Sequence, residues 1–172
     1  DAPFDAELVG YWWFEGPLFL EAVFREVASS QGLIAKNAAE VVDSGDALQE
    51  VEPSASTWGA GGDHSVCLNP DNDTLYRHYE AIHNSVKKIV ANAPNYSDLE
   101  LRVAKQAVRE ALLAQASDWA FLITKDTAGD FAKKQVATHI RDFQLLNNML
   151  RSSNIDLSEL RDIEARDNLF PD

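Results

Sequence analysis

The chain has 172 residues, of which 45% are hydrophobic, so it can bury a core of about one domain in size. Acidic residues outnumber basic ones 28 to 15, which gives a formal net charge of −13. No run of lysine or arginine could neutralise a row of phosphates, so nucleic acid and anionic membrane surfaces are poor partners. A neutral polymer would not be repelled by this surface, although negative net charge mostly serves solubility.

Cysteine content and the first residues bear on the compartment. Cys67 is the only cysteine, which excludes an internal disulfide and a thiolate zinc site and fits a reducing compartment. No apolar run approaches the ~20 residues that span a bilayer, and the first residues lack the plan of a signal peptide. We therefore expect a cytoplasmic protein. The sequence opens on Asp1 without an initiator methionine, which suggests a fragment or a processed product.

The first fifty residues predict a segment that mixes strands and helices. Residues 3–14 are rich in aromatics and run into Glu-Gly-Pro, which is typical of a strand followed by a loop. Pro17 suits the first turn of a helix, and the residues up to about Ser30 leave only a thin polar stripe, so this helix should lie against something large. A short strand at 33–35 and a helix from near Ala38 complete what resembles the end of a β/α layer.

The rest of the chain predicts a long loop and then a helical bundle. Residues 52–73 are rich in Gly, Ser, Asn and Pro, and ordered loops of this length are often functional. Four helices follow: one from about Leu75, one opened by a capping box of Ser97 and Glu100, one after Asp126, and a short one opened by Asp156 and Glu159, which have the same spacing. The period places these residues inside: Leu75, Tyr79, Ile82, Val86 and Ile89, then Leu101, Ala104, Val108, Ala111 and Leu112, then Phe131, Val136, Ile140, Phe143, Leu146 and Leu150.

The first candidate site is a pair of acids beside aromatic rings. Asp5 and Glu7 would share one face of the predicted strand, directly before Tyr11, Trp12 and Trp13. A carboxyl that moves a proton and flat rings that stack on a sugar are what a sugar-cleaving site needs. An edge strand with two solvated acids and a buried aromatic cluster explains the same pattern.

Two more candidates lie further along the chain. Trp58 stands among small residues, so its ring could stack on a ligand or could pin the loop to the core. Asp118, in the segment Ser-Asp-Trp-Ala-Phe, lies between two helices and could cap the next turn or point into a cleft. The residues alone leave both pairs of alternatives open.

Neither metal nor nucleotide binding is indicated. His78 and His83 are five residues apart, which is off the four-residue step that lets two imidazoles share a metal on a helix. Gly59, Gly61 and Gly62 precede an irregular segment and do not form a phosphate-binding loop between a strand and a helix. We expect no metal and no cofactor.

One segment resembles a known family. Residues 4–17, Phe-Asp-Ala-Glu-Leu-Val-Gly-Tyr-Trp-Trp-Phe-Glu-Gly-Pro, resemble the last catalytic motif of glycoside hydrolase family 57, in particular of its α-1,4-glucan branching enzymes. The resemblance continues in residues 53–62, 68–70, 117–121 and 163–172. It implies a mainly α chain: the end of an incomplete (β/α)₇ catalytic barrel at 1–53, followed by a C-terminal helical bundle domain at 54–172 that begins with a glucan-site loop.

The resemblance also implies a reaction. Family members transfer glucan chains by a retaining double displacement, in which a Glu forms a glycosyl-enzyme and an Asp is the general acid and then the base. Asp5 matches that Asp, whereas Glu7 has no such role, and this chain has no counterpart of the nucleophile. Trp13, Trp58 and Asp118 match positions expected to bind substrate. The implied partners are an α-glucan and the N-terminal remainder of the barrel, and the isolated chain should be inactive.

Three positions depart from the family pattern. Val9 stands where the family usually has Phe, Tyr11 where it usually has His, and Cys67 where branching enzymes typically have a second site-lining Trp. Losing that Trp would remove a stacking surface of about 1–3 kcal/mol. An α-amylase, a 4-α-glucanotransferase and a non-catalytic glucan-binding or helical interaction module therefore remain alternatives to a branching enzyme.

Overall fold

The computed structural model describes residues 4–45 and 47–171, and all regular structure within these ranges is helical. The chain divides into two compact units, Asp1–Pro53 and Ser54–Asp172. The α-helices of the described residues are α1 Gly16–Ser29, α2 Ala38–Asp43, α3 Asp73–Asn92, α4 Asp98–Ala114, α5 Ser117–Lys125, α6 Phe131–Ser152 and α7 Leu157–Arg166. The prediction of a mainly α chain is confirmed, and none of the described helices is long and apolar enough to cross a membrane.

The described part of the first segment is a helical turn and not the predicted strand. Residues 6–12 are helical, with a π-helix at Leu8–Trp12. The amide of Trp13 donates to the carbonyl of Leu8 at 2.8 Å, which is the five-residue step of a π-helix. The strand prediction was wrong because a strand needs a partner for its backbone groups, whereas this turn pairs them locally.

Gly16 lets this turn pack closely against the start of α1. A Cβ atom built on Gly16 would lie 2.8 Å from the Cα of Val9, a backbone atom that cannot move aside easily. Pro17 occupies the first turn of α1, as the sequence predicts, because no intrahelical partner is lost there. Because Gly16 has no side chain, the aromatic segment can approach the start of α1 this closely.

The remainder of the first unit is partly as predicted. Residues 33–35 form no strand and are irregular. The helix near Ala38 is confirmed and begins with a capping box: the amide of Glu40 donates to Asn37 Oδ1 at 2.9 Å, and the amide of Asn37 donates to Glu40 Oε2 at 2.7 Å. The apolar residues of α1, among them Leu18 and Phe24, are exposed in the described chain. The large partner expected for α1 stays a prediction.

The second unit is a helical bundle with its own core. α4 packs along α6, and α3, α5 and α7 pack against this pair. The capping box of α4 is confirmed, since Ser97 and Glu100 exchange side-chain to backbone hydrogen bonds, and Asp156 caps α7. The core is made of Leu75, Ile82, Ile89, Val103, Ala104, Ala107, Ala111, Ala114, Ile123, Ala132, Val136, Ile140, Phe143, Leu146, Met149, Leu160 and Ile163.

Three residues predicted to face inward do not. Leu101, Leu112 and Phe131 are exposed, Leu112 by 50%. The fully buried positions of α4 include the polar residues Gln106 and Glu110 instead. When only apolar residues are counted, the predicted buried face of α4 is rotated away from the observed one. The observed face also includes buried polar side chains that have partners within the protein.

Candidate functional site

Asp5 opens the aromatic segment of the first unit. Its side chain is exposed, and its backbone carbonyl accepts from the amide of Leu8 at 3.1 Å, which starts the helical turn. Glu7 is also exposed, but residues two apart on a helical turn do not face the same side. The expected acid pair on one strand face is therefore wrong: both carboxyl groups are accessible, but they do not share a face.

The aromatic residues beside Asp5 are accessible to different degrees. Trp13 is half-buried, with its ring centroid 4.9 Å from that of Phe19 on α1. Trp12 is mostly exposed. Since neither ring is fully buried, a buried aromatic cluster does not explain these two residues. The side chain of Tyr11, one of the departures from the family pattern, lies outside what the structure describes.

Trp58 is presented to solvent by a tight loop in the second unit. The amide of Thr57 donates to the carbonyl of Gly62 at 2.9 Å, and Gly61 and Gly62 adopt φ of 79° and 74°, a region that favours glycine. The Trp58 side chain is 78% exposed, and its ring lies 5.9 Å from the ring of Phe121 on α5. Of the two alternatives for Trp58, an open ring fits this geometry better than a ring that pins the loop to the core.

Asp118 lies in the first turn of α5 and is exposed. The N-cap position is Ala116, which has no side-chain oxygen, so Asp118 is not the cap. Its charge is still favourable near the positive end of the helix. Asp118 and Phe121 are three residues apart and are therefore neighbours on the surface of α5. The Trp58–Phe121 contact thus brings the exposed Trp to the side of α5 that carries Asp118.

A hydrogen-bond junction fastens this loop to α5. The side-chain amide groups of Asn69 and Asn72 donate to Thr124 Oγ1 at 2.8 and 2.9 Å. Thr124 Oγ1 lies 2.8 Å from the carbonyl of Val66, to which it donates. Sequence reasoning missed Asn72 and Thr124, because their contact joins positions 52 residues apart.

A cavity of about 210 Å³ lies between the loop, α3 and the start of α5. Cys67, Tyr76, Tyr79 and Ser117 contribute to its lining. The hydroxyl of Tyr76 donates to the carbonyl of Cys67. The hydroxyl of Tyr79 is buried without a hydrogen-bond partner, and burial, together with the nearby Tyr76, raises the pKa of Tyr79 to about 12.

A buried polar network joins α4, α6 and the end of α7. His139 Nδ1 lies 2.8 Å from Glu110 Oε2 and 3.9 Å from Asp167 Oδ2. Gln106 Nε2 donates to Glu110 Oε1 at 2.9 Å, and Arg166 lies 2.8 Å from Asp167 Oδ2. Burial raises the pKa of Glu110, and the hydrogen bonds from His139 and Gln106 partly offset this.

The ligand atoms of Glu110, His139 and Asp167 lie within 4.8 Å of one another, close enough to share a metal ion. Each already has a protein partner, which is what a structural network requires. Arg109 adds hydrogen bonds to the carbonyls of Leu169 and Phe170 at 2.6 and 2.7 Å, so the network holds the closing segment of the chain. Sequence spacing gives no signal for this cluster, because its three residues come from α4, α6 and the end of α7.

The four predicted site residues fall in both units. Asp5 and Trp13 lie in the first, and Trp58 and Asp118 lie in the second. Within the second unit the structure places Trp58 beside the helix of Asp118. An exposed aromatic ring next to an accessible acid can stack on a neutral ring and accept hydrogen bonds from hydroxyl groups, as saccharide binding requires.

Comparison with known proteins gives the class of this fold and site. The family model described as "1,4-alpha-glucan branching enzyme, C-terminal" matches residues 78–172. The chain belongs to this family, and its relatives with solved structures include branching enzymes of glycoside hydrolase family 57, so the resemblance noted in the sequence is confirmed.

Three relatives are particularly similar. A 1,4-alpha-glucan branching enzyme of Thermococcus kodakarensis is 35% identical over 98% of this chain, and its crystal structure has a TM-score of 0.78. The branching enzyme of Pyrococcus horikoshii is 31% identical with a TM-score of 0.71, and the alpha-amylase AmyC of Thermotoga maritima is 39% identical with a TM-score of 0.64. The Pyrococcus and Thermotoga structures each match 99% of this chain.

The chain spans only part of these relatives. It corresponds to 26% of the Thermococcus enzyme's sequence, and to 32%, 31% and 33% of the solved chains from Thermococcus, Thermotoga and Pyrococcus. The helical architecture matches a C-terminal helical domain of such enzymes, and residues 4–45 and 47–171 contain no strand of a barrel.

Proposed function

We propose that this chain is the C-terminal part of a 1,4-α-glucan branching enzyme and supplies its acid/base Asp5 and part of its glucan site. Trp13, Trp58 and Asp118 bind the glucan. The observation that carries the glucan site is the loop of Trp58: a ring 78% exposed, held beside the helix that carries Asp118. The names of the relatives support the branching reaction.

The reaction is a retaining double displacement. A Glu from outside this chain attacks the anomeric carbon of an α-1,4 linkage while the carboxyl of Asp5 gives its proton to the departing glycosidic oxygen. The Asp5 carboxylate then takes the proton of an acceptor 6-hydroxyl, whose oxygen displaces the Glu and forms an α-1,6 branch. Asp5 suits both steps because its side chain is accessible.

The isolated chain should be inactive because it has no counterpart of the nucleophile. Its partner is the N-terminal remainder of the barrel, and the exposed apolar residues of α1 offer a surface for it. We further propose a role in glycogen biosynthesis, because the product of this reaction would be a branched α-glucan. The single cysteine fits a cytoplasmic location.

A second candidate is an α-amylase or 4-α-glucanotransferase of the same family. The 39% identity to the alpha-amylase AmyC favours it, as does Cys67 at a position where branching enzymes typically have a Trp. In this case water or a 4-hydroxyl captures the glycosyl-enzyme. A non-catalytic glucan-binding or helical interaction module is a third candidate.

Incubation of the complete protein with amylose separates these candidates. A branching enzyme forms α-1,6 linkages, detected by NMR and by sensitivity to a debranching enzyme, with little rise in reducing ends. A rise in reducing ends without branches would replace the proposal by an α-amylase. New α-1,4 chain lengths alone would indicate a 4-α-glucanotransferase, and no change in the amylose would indicate a non-catalytic module.

A further inference from the structure

The hydroxyl of Thr124 on α5 is saturated with hydrogen bonds to the segment that precedes α3. It accepts from the side-chain amides of Asn69 and Asn72 and donates to the carbonyl of Val66, with the carbonyl of Ala120 also within reach at 2.9 Å. A hydroxyl has one proton to donate and two lone pairs that accept, so its whole capacity is used. Thr124→Val would keep nearly the same shape and remove every one of these contacts.

Asn72 forgoes a helix cap to make its contact. It occupies the N-cap position of α3, where an asparagine side chain normally accepts from the first amides of the helix, yet it makes no such bond. Its side chain is fully buried and donates to Thr124 Oγ1 and, at 3.4 Å, to the carbonyl of Ala120, while Oδ1 accepts from the amide of Asn69 at 2.9 Å. The side chain therefore joins the loop to α5 and does not serve the start of its own helix.

Val66 extends this contact to Trp58. Val66 is buried, and its Cγ2 lies 3.3 Å from a Cβ atom built on Gly59, the residue that follows Trp58. On its other side, the ring of Trp58 lies 5.9 Å from the ring of Phe121 on α5. Since Thr124 binds the backbone of Val66, and Val66 packs beneath the backbone next to Trp58, continuous contacts connect the hydroxyl to the exposed indole ring.

We propose that Thr124 and Asn72 are positioning residues for glucan binding, which hold the ring of Trp58 in the exposed orientation in which it stacks on a sugar. The inference rests on the proposed function, because it takes Trp58 as a glucan contact. Both residues act through the loop and not through contact with the substrate. Their loss should therefore weaken glucan binding and leave the proton transfer at Asp5 intact.

Steady-state kinetics of the complete protein on amylose test this role. Thr124→Val should raise KM about 3- to 10-fold, the effect of one hydrogen-bonding group, and should change kcat little, because the ring binds substrate and transition state alike. Thr124→Ser keeps the hydroxyl and should restore KM. Thr138→Val is the matched control, because its hydroxyl donates within α6 to the carbonyl of Lys134 at 2.9 Å, and it should change neither quantity.

Asn72→Asp separates positioning from helix capping. Aspartate caps a helix as well as asparagine does, but it has no amide group to donate to Thr124. KM should therefore rise in Asn72→Asp as it does in Thr124→Val. An unchanged KM in Asn72→Asp would remove Asn72 from the positioning role.

Hydrogen exchange of the complete protein, followed by mass spectrometry, measures the loop directly. Peptides that cover residues 57–69 should exchange faster in Thr124→Val, whereas peptides of α6 should keep their rate. In a Trp58→Ala background, Thr124→Val should raise KM no further, because both changes act on binding through the same ring.

The outcomes separate this inference from the proposed function. If Trp58→Ala raises KM but Thr124→Val does not, or if Thr124→Val raises KM equally without Trp58, the positioning role is wrong and the glucan site stands. Unchanged exchange at 57–69, or faster exchange in α6 as well, would also overturn the role. If Trp58→Ala leaves KM unchanged, or the complete protein does not alter amylose, the proposed function fails and the inference fails with it.

Discussion

The two units of the chain differ in where their stability comes from. In the second unit, buried residues of α3 to α7 form one hydrophobic core. In the first, no apolar side chain of the described residues is buried, and the single buried residue is Gly16. The first unit is shaped by local features, a π-turn and a capping box, whereas the second is shaped by packing. Helices of 14 and 6 residues gain little stability on their own, so the first unit needs a surface to pack against.

The largest expected effect is a loss of turnover when Asp5, in the first unit, is replaced. Asp5→Asn in the complete protein should lower kcat for branching by about 10²- to 10⁴-fold, because the amide can neither give nor take the proton. Glucan affinity should persist. Glu7→Gln, a neighbouring exposed acid, is the control and should keep most of the activity. Turnover above a few per cent in Asp5→Asn would show that Asp5 is not the acid/base.

A pair of phenylalanines tests the difference in packing directly. Phe143→Ala removes a side chain that is 2% exposed in the second unit and should cost about 3–5 kcal/mol of unfolding free energy. Phe24→Ala, at a residue 60% exposed on α1, should change the same quantity by no more than about 0.5 kcal/mol. Urea unfolding of the 172-residue chain measures both. Equal losses would mean that the two units share one cooperative core.

Gly16 tests whether close backbone packing shapes the first unit. Gly16→Ala places a Cβ 2.8 Å from the Cα of Val9 and should destabilise the π-turn by about 1–3 kcal/mol. The amide of Trp13, which donates to Leu8, should then exchange its hydrogen faster. Gly10→Ala meets nothing within 4 Å and is the control. If the Trp13 amide exchanges its hydrogen at the same rate in Gly16→Ala, the close approach of Gly16 to Val9 does not stabilise the turn.

The smallest expected effect is a pH dependence of the second unit. The pKa of Glu110 in the folded chain is raised above its ordinary value of 4.5, so the folded state holds this proton more tightly than the unfolded state. The contribution is fully present below about pH 4.5 and is lost as the pH rises through the folded pKa. Glu110→Gln should abolish this loss. As the pH rises, the unfolding free energy of Glu110→Gln should therefore increase relative to that of the unchanged chain.

Urea unfolding between pH 4 and 7 measures this difference, and Glu80→Gln, an exposed residue of α3, is the control. A constant difference between Glu110→Gln and the unchanged chain across this range would mean that Glu110 ionises as easily in the folded chain as in the unfolded one.

The sequence predicted the second unit well because its helices carry their information locally. Apolar spacing located α3 and α6, the Ser97–Glu100 box located α4, and the Asp156–Glu159 pair located α7. The short helix α5 was not predicted, because its residues were interpreted as a junction between two helices. The strand prediction was wrong over the described residues 4–14, because aromatic residues favour strands, whereas the observed turn packs closely against Gly16. The burial of Glu110 could not be predicted, because His139 and Asp167, which lie close to it, come from distant segments of the chain.

The candidate site was predicted from the resemblance and not from spacing. Asp5, Trp13, Trp58 and Asp118 remain predictions, since catalysis depends on a ligand and a nucleophile that their own geometry does not supply. The same holds for the assignment of residues 1–53 to the end of the barrel. The lack of a hydrogen-bond partner for the Tyr79 hydroxyl could not be predicted from the sequence, because Tyr79 fits the inward face of α3 like any other large residue.

Thr124 anchors the loop that carries Trp58 to α5. Its hydroxyl accepts hydrogen bonds from both asparagines of the loop, Asn72 also donates to the carbonyl of Ala120 on α5, and the turn from Thr57 to Gly62 closes through a backbone hydrogen bond. The tip can therefore be exchanged, with Trp58 moved, doubled or removed, while the same anchor keeps the loop in register. Such exchanges would change the proposed glucan contacts and leave the bundle unchanged.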